Sequence, residues 1–201
     1  MIHTALEFLA GEVNTYLKLK NDITNDLVSL TNVATQEGNW AIPNNRLGLS
    51  LINIEEEKIF KEQRTTFVNS SGLAQHYNPE IKLNLYVLIS ANYTSGDGDD
   101  TVEYLEGLKQ LSYVLRFFQG KNVFTNDNAP GLAALDMSVE KLVVELFSYT
   151  FEQLYNFWTV LGAKYLPSIL YKVRLITLQE ENVLDQKGVV ESIGINSLHK
   201  R

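Results

Sequence analysis

Glu55, Glu56 and Glu57, followed by Lys58, form one of two dense acidic runs in the chain. Paired carboxylates can divide general-acid and general-base work. Here the run follows a strand-like segment, where neighbouring side chains point to opposite sides, so three in succession do not converge on one reacting atom. It reads as a solvated or partner-facing charge cluster. The second run, Asp97, Asp99, Asp100 and Glu103, has the composition of a calcium loop. An EF-hand needs acids at positions 1, 3 and 5, glycine at 6 and glutamate at 12. With Asp97 at the first position, Asp99 takes the third, but Thr101 and Val102 take the fifth and sixth. The run reads instead as a turn in which Asp99 or Asp100 caps a helix. His3, His76 and His199 are scattered, without the HExxH spacing of a metal site. No phosphate loop GxxxxGK[ST] and no GxGxxG occur, and neither Ser70-Ser71-Gly72 nor Thr94-Ser95-Gly96 fits the nucleophile elbow G-x-S-x-G. The expectation is a protein with no catalytic, cofactor-binding or metal-ligating residues, and no enzyme.

Composition narrows the remaining classes. The chain has 201 residues, 45% hydrophobic and 20% charged. One domain of that size buries roughly 70% of its unfolded surface. Lys and Arg number 17 against 24 Asp and Glu, a net charge of -7. That balance argues against nucleic acid, whose binders release counterions through a basic surplus. No run of about 18 apolar residues is present, so direct membrane insertion is not expected. The first residues lack a basic region and include Glu7 and Glu12, unlike a secretory signal. Cysteine is absent, which removes disulfides and thiol chemistry.

The elements that must position any site follow from periodicity. Residues 2–18 predict a helix with Ile2, Leu6, Leu9, Val13 and Tyr16 on one stripe and Glu7, Asn14 and Lys18 off it. Residues 33–45 read as loop, with Trp40 and Ile42 as anchors. Residues 46–55 and 81–93 predict strands. In the second, Ile81, Leu83, Leu85, Val87, Ile89, Ala91 and Tyr93 hold one face, and Lys82, Asn84, Ser90 and Asn92 a partly open one. A helix then runs to about Phe118 on a stripe of Tyr104, Leu108, Leu111, Leu115 and Phe118, stopped by Gly120. Residues 137–148 predict an interior strand. Ser148 or Thr150 caps a short helix that packs Phe151, Leu154, Tyr155, Trp158 and Leu161 and ends at Gly162. Pro167 opens a last strand with Ile169, Tyr171, Val173 and Leu175 alternating. The order α-β-β-α-β-α-β predicts an α/β (α+β) fold: a mixed, mainly antiparallel sheet of four to five strands with helices packed on it.

Two connections are long, residues 56–80 and the stretch between the second helix and the third strand. Structureless loops beyond about 12–15 residues are uncommon. The first carries Ile59, Phe60, Phe67 and Tyr77, and the second Val123, Phe124 and Leu132. These apolar residues must bury either on their own sheet or on a neighbouring subunit. Residues 181–201, with Val189, Val190, Ile193 and Ile195, have no core face of their own. We therefore expect one domain over residues 1–180 and a tail over 181–201 ordered by a partner. The expected interface residues are Glu55, Glu56, Glu57, Lys58, Phe60, Phe67, Tyr77, Phe124, Val189, Val190, Ile193 and Ile195.

Four stretches together resemble one family. They are Asn53-Ile54-Glu55-Glu56-Glu57-Lys58, the run from Asn78-Pro79-Glu80 through Asn84-Leu85-Tyr86-Val87-Leu88, the run Leu111-Ser112-Tyr113 through Gln119-Gly120-Lys121, and a block from Asn156 to Arg174. The last, with Trp158, Leu161, Gly162, Tyr165, Pro167 and Tyr171 as a structural core motif, is the most specific. The chain is similar over about residues 2–178 to the tail-terminator (cap) family of phage-tail-like contractile injection systems, of the virulence-cassette and antifeeding-prophage type. The resemblance implies a tail-terminator-like fold and a structural role. It implies a homo-hexameric ring on the distal end of the inner tube and sheath, which stops polymerisation and couples the two. Its partners would be copies of itself and the sheath and tube proteins. The chain would assemble in the bacterial cytoplasm and then join the particle. A tube-end adaptor, or another assembly factor of the same particle, is the alternative.

Overall fold

The computed structural model describes residues 1–57, 66–68, 70, 73–76, 82–94, 100–135, 139–177 and 185–188. Helix α1 (Ile2–Asn21) buries Leu6, Leu9, Val13 and Leu17 on one stripe, with Ala5 and Phe8 beside them. The predicted stripe ended on Tyr16, which is only partly buried, whereas Leu17 is fully so. Asp22, in left-handed conformation at φ 53°, ends the helix by donating its N–H to the Lys18 carbonyl.

Asn14 was expected off the stripe, yet it is buried. Its Oδ1 accepts from the N–H groups of Leu27 and Val28 at 2.9 and 2.8 Å, and its Nδ2 donates to the Val28 carbonyl at 3.0 Å. One amide side chain thus fixes the entry to strand β1 (Val28–Leu30). Asn14→Leu would leave buried backbone groups unpaired, each costing about 1–3 kcal/mol. Urea unfolding should show a loss of about 3 kcal/mol. An unchanged midpoint would mean that water replaces the amide.

The main sheet has six strands in the order β1-β2-β5-β8-β7-β6. They are β1, β2 (Arg46–Glu56), β5 (Lys82–Asn92), β8 (Ser168–Thr177), β7 (Val139–Phe147) and β6 (Val123–Thr125). Only β1 runs parallel to its neighbour. The four long strands match the predicted ones. The count of four to five rises to six because β1 and β6 close the two edges with three residues each. Segments that short show no two-residue periodicity. A second, three-stranded sheet has the order β3-β4-β9, from β3 (Thr66–Val68), β4 (Leu73–His76) and β9 (Asp185–Gly188). The connection 56–80 is therefore not structureless. Part of residues 181–201 pairs with β4 of its own chain, Ala74 opposite Lys187.

Helices α1, α2 (Asp100–Gly120) and α3 (Pro130–Leu135) cover the inner face of the main sheet, where Leu85, Val87 and Ile89 of β5 meet Tyr171 and Val173 of β8. On α2 the packed line is Gly107, Leu111, Val114 and Phe118: Leu111 and Phe118 of the predicted stripe are buried and Leu108 partly so, whereas Tyr104 and Leu115 are exposed. Gly107 explains the rotation: a β-carbon there would lie 3.3 Å from the Tyr93 side chain, so the helix seats on its smallest residue. Of the two ways of burying the second long connection, its own sheet is the one found: Phe124, expected at an interface, and Leu132 are fully buried in this core from β6 and α3. Phe124 stands edge-on to Phe8, with ring centroids 5.5 Å apart. Its expected interface role is corrected accordingly.

The outer face of β5 stays partly open at Lys82 and Tyr86 but is covered farther than the sequence suggests. Asn84, Leu88, Ser90 and Asn92 are all buried. Ile42 folds over Gly48, where any β-carbon would collide with it, and Asn92 donates to the Ile42 carbonyl at 2.7 Å. Val33, Ile42, Leu88, Trp158 and Leu166 make a second, smaller core there.

Candidate assembly surface

Among the described residues no cluster of His, Asp or Glu is placed to hold a metal. The acidic run separates as strand geometry requires. Glu55 and Glu56 are exposed at the end of β2, and the Tyr86 hydroxyl donates to Glu55 at 2.9 Å. Burial, and then the Glu55 carboxylate, push the Tyr86 phenol above its ordinary pKa. Glu57 was expected to face solvent or a partner, and it is buried. Its backbone N–H extends the ladder to the Lys82 carbonyl, and its carboxylate accepts from Asn84 Nδ2 at 3.0 Å, with Lys172 Nζ 3.9 Å away. Glu57 is therefore a structural anchor of the outer face. Farther along the sheet Glu145 pairs with Arg174 at 3.2 Å. Lys58, Phe60, Tyr77, Val189, Val190, Ile193 and Ile195 lie outside the described residues, and Phe67 is the middle residue of β3.

The residues of the Trp158 block build a different feature. Thr150 caps helix α4 (Phe151–Leu161): its hydroxyl accepts from the Gln153 N–H, while Gln153 Oε1 accepts from the Thr150 N–H. Gly162, at φ 65°, terminates it. Trp158 is buried and Leu161 half-buried against the outer face. Pro167 precedes β8 and accepts from the Ala91 N–H at 2.9 Å. Tyr171 is buried on the opposite face, its ring 4.8 Å from that of Phe118. Burial raises the Tyr171 phenol well above its ordinary range.

Tyr165, expected in the core motif, is 58% exposed. It lies in the connection between α4 and β8, outside the sheet, and covers Trp158 edge-on at 5.5 Å. Burial raises its phenol first, then the nearby Tyr149 and Tyr104. On α4, Phe151 and Tyr155 were expected to pack and are 90% and 71% exposed. With Tyr165 and Ala163 they wall a groove whose floor is Leu154 and Trp158. A second cleft, under the other flank of α4, is lined by Leu88, Phe147, Phe157 and Leu170. Sequence reasoning placed Phe151 and Tyr155 on the packing side because it assumed a single stripe. The missed signal was composition: seven of the eleven α4 residues are apolar and only Glu152 is charged. Such a helix has no side suited to water.

The fold is shared with two cryo-EM structures. The whole chain aligns with the sheath/tube terminator, in its extended state, of the extracellular contractile injection system PVC (TM-score 0.61, 12% identity). Over 95% of its length it aligns with the tube-terminating cap of the anti-feeding prophage (TM-score 0.58, 14% identity). The chain spans 64% and 59% of those two chains. No curated protein matches it in sequence. The model of the Pvc16 N-terminal domain family matches residues 4–192, and the chain belongs to that family. The architecture is thus the mixed α+β, tail-terminator-like fold that the sequence resemblance implied.

Proposed function

We propose that this chain is a structural tail terminator, or cap, of a contractile injection system. In this reading six copies form a ring on the distal end of the inner tube and sheath, stop polymerisation and couple the two layers. The chain is no enzyme, takes no cofactor and binds neither nucleic acid nor a membrane. The observation that carries the reading is fold agreement with a sheath/tube terminator along the entire chain. Family membership and the uncovered apolar surface of α4 support it. Among the described residues no helix is long and apolar enough to cross a membrane, consistent with a component of a protein particle. Glu55 and Glu56, together with Lys58, Phe60, Phe67, Tyr77, Val189, Val190, Ile193 and Ile195, are the proposed contacts to sheath, tube or neighbouring copies.

Particles from cells lacking this chain should carry overlong or ragged tubes in electron micrographs, and adding the purified chain during reconstitution should restore a uniform length. Tubes of normal length without it would refute the terminator role. A tag on the chain should label the end away from the baseplate. Label at the baseplate end would favour the adaptor alternative.

A further inference from the structure

A side-chain amide carries the same donor and acceptor as a peptide group, so it can fill a place in a β-ladder without continuing it. Each edge of the main sheet meets such an amide. At β1 the Leu27 carbonyl accepts from Leu47 and the Thr31 N–H donates to Leu49, both in β2, whereas Val28 turns its backbone groups toward α1. There Asn14 accepts from the Val28 N–H at 2.8 Å and donates to the Val28 carbonyl at 3.0 Å.

At β6 the Asn122 carbonyl accepts from the Val144 N–H, and Phe124 lies opposite Leu142. The alternate residues, Val123 and Thr125, then point their backbone groups away from β7. Asn128 takes them up: its Oδ1 accepts from the Thr125 N–H and its Nδ2 donates to the Val123 carbonyl, both at 3.0 Å. The Thr125 carbonyl is taken as well, by the N–H groups of Asn128 and Ala129 at 3.2 and 2.9 Å. An added strand would have to bond these same groups. The backbone partners fix which end of each amide is oxygen, because an N–H only donates and a carbonyl only accepts. Asn14 is buried under α1, whereas Asn128 is exposed in the turn between β6 and α3. An edge left open invites pairing with another chain.

We propose that Asn14 and Asn128 seal the main sheet against strand addition on both of its edges. Neighbouring molecules, whether copies of this chain or filament subunits, then meet it through side-chain surfaces or through the three-stranded sheet, and no β-ladder runs from the main sheet into the next molecule. The seal goes beyond the terminator reading without resting on it. A chain that ends a filament gains from offering no edge on which polymerisation could restart.

Asn128→Ala removes the amide and leaves the edge neutral. Asn128→Lys removes the same two hydrogen bonds but places on the edge a charge that opposes strand pairing. Both variants should melt slightly below wild type and to the same extent. Only Asn128→Ala should associate, with light scattering showing its mass above that of wild type at equal concentration. Amide hydrogen exchange locates the contact. At low micromolar concentration Thr125 should exchange about tenfold faster in both variants than in wild type. Val144, which donates to Asn122, should stay protected in both and shows that β6 is in place. At high micromolar concentration Asn128→Ala alone should gain protection at Val123 and Thr125. Two results overturn the seal. An Asn128→Ala chain that scatters like wild type, with Thr125 unprotected at every concentration, makes Asn128 a turn residue and nothing more. Equal association of the two variants makes that association a consequence of fraying. Tube length in particles scores the terminator reading separately: normal tubes without the chain refute that reading and leave the seal standing.

Discussion

Phe124→Ala should destabilise the isolated chain by about 3–5 kcal/mol, the cost of emptying a large aromatic site in a packed core. Phe124 is fully buried. Its ring meets Phe8 edge-on at 5.5 Å and Phe117 at 6.3 Å, and Lys121 Nζ lies 4.8 Å from its centroid. Strand β6 is three residues long and pairs only with β7 at Val143, Leu142 and Lys141. Beyond that ladder it is held by the Asn128 side chain, which accepts from the Thr125 N–H and donates to the Val123 carbonyl, both at 3.0 Å, so the cavity should open inside an edge that stays hydrogen-bonded. Thermal unfolding should shift down by on the order of 10 °C for a domain of this size. Phe151→Ala is the matched control. Its ring is 90% exposed, and surface changes of that kind usually stay within about 0.5 kcal/mol. A melt in which Phe151→Ala is the damaging variant and Phe124→Ala is silent would exchange the roles of β6 and α4.

Phe124 also shows where the sequence was legible and where it was not. The four long strands were readable because nine to eleven residues carry several periods of alternation. The ends of α4 were readable in part: Thr150 was one of two candidate caps, Gln153 completes its box, and Gly162 in left-handed conformation stops the helix as expected. Three-residue edge strands carry one period or less, so β6 looked like a loop with stray apolar residues, and Phe124 was assigned to a partner. Alternation also reports the kind of side chain on a face and not whether something covers it. Asn84, Ser90 and Asn92 looked like a wet face, yet Ile42, Leu166 and Trp158 roof that side of the sheet from distant parts of the chain. Glu57 was misread for the same reason: its partners, Asn84 and Lys172, come from β5 and β8.

The misreading of α4 ran the other way. A stripe was assumed and the helix was given a fully packed side, whereas its apolar residues exceed what the sheet can cover. Tyr165 was grouped with Trp158 as core on the strength of a sequence block. The block holds together spatially, but its members divide between a buried indole, an exposed phenol and a tyrosine on the far face of the sheet. Residues close in sequence and distinctive in type therefore serve two purposes here. Trp158 and Tyr171 hold α4 and β8 in place, and Tyr165 with Phe151 and Tyr155 forms what remains for a partner to cover.

That division makes Trp158→Ala the sharpest test of how α4 is held. Trp158 is the only residue of α4 buried to the core, meeting Phe157 and Tyr165 edge-on at 5.7 and 5.5 Å. Removing the indole should cost about 3–5 kcal/mol if the site cannot collapse. The loss should not spread evenly. The Trp158 cluster is separate from the main core, and an eleven-residue helix does not persist without packing. The amides of α4 should therefore lose hydrogen-exchange protection while those of β5 and β8 keep theirs, the pattern of a local opening. Equal loss of protection in α1 and α2 would show that the two cores unfold as one unit. Trp158→Phe separates packing from hydrogen bonding. The indole N–H has no acceptor among the described residues, so phenylalanine sacrifices volume alone and should cost about 1–2 kcal/mol. A Trp158→Phe chain as unstable as the alanine variant would mean that the indole N–H is bonded after all, and that α4 is held by a polar contact as much as by its ring.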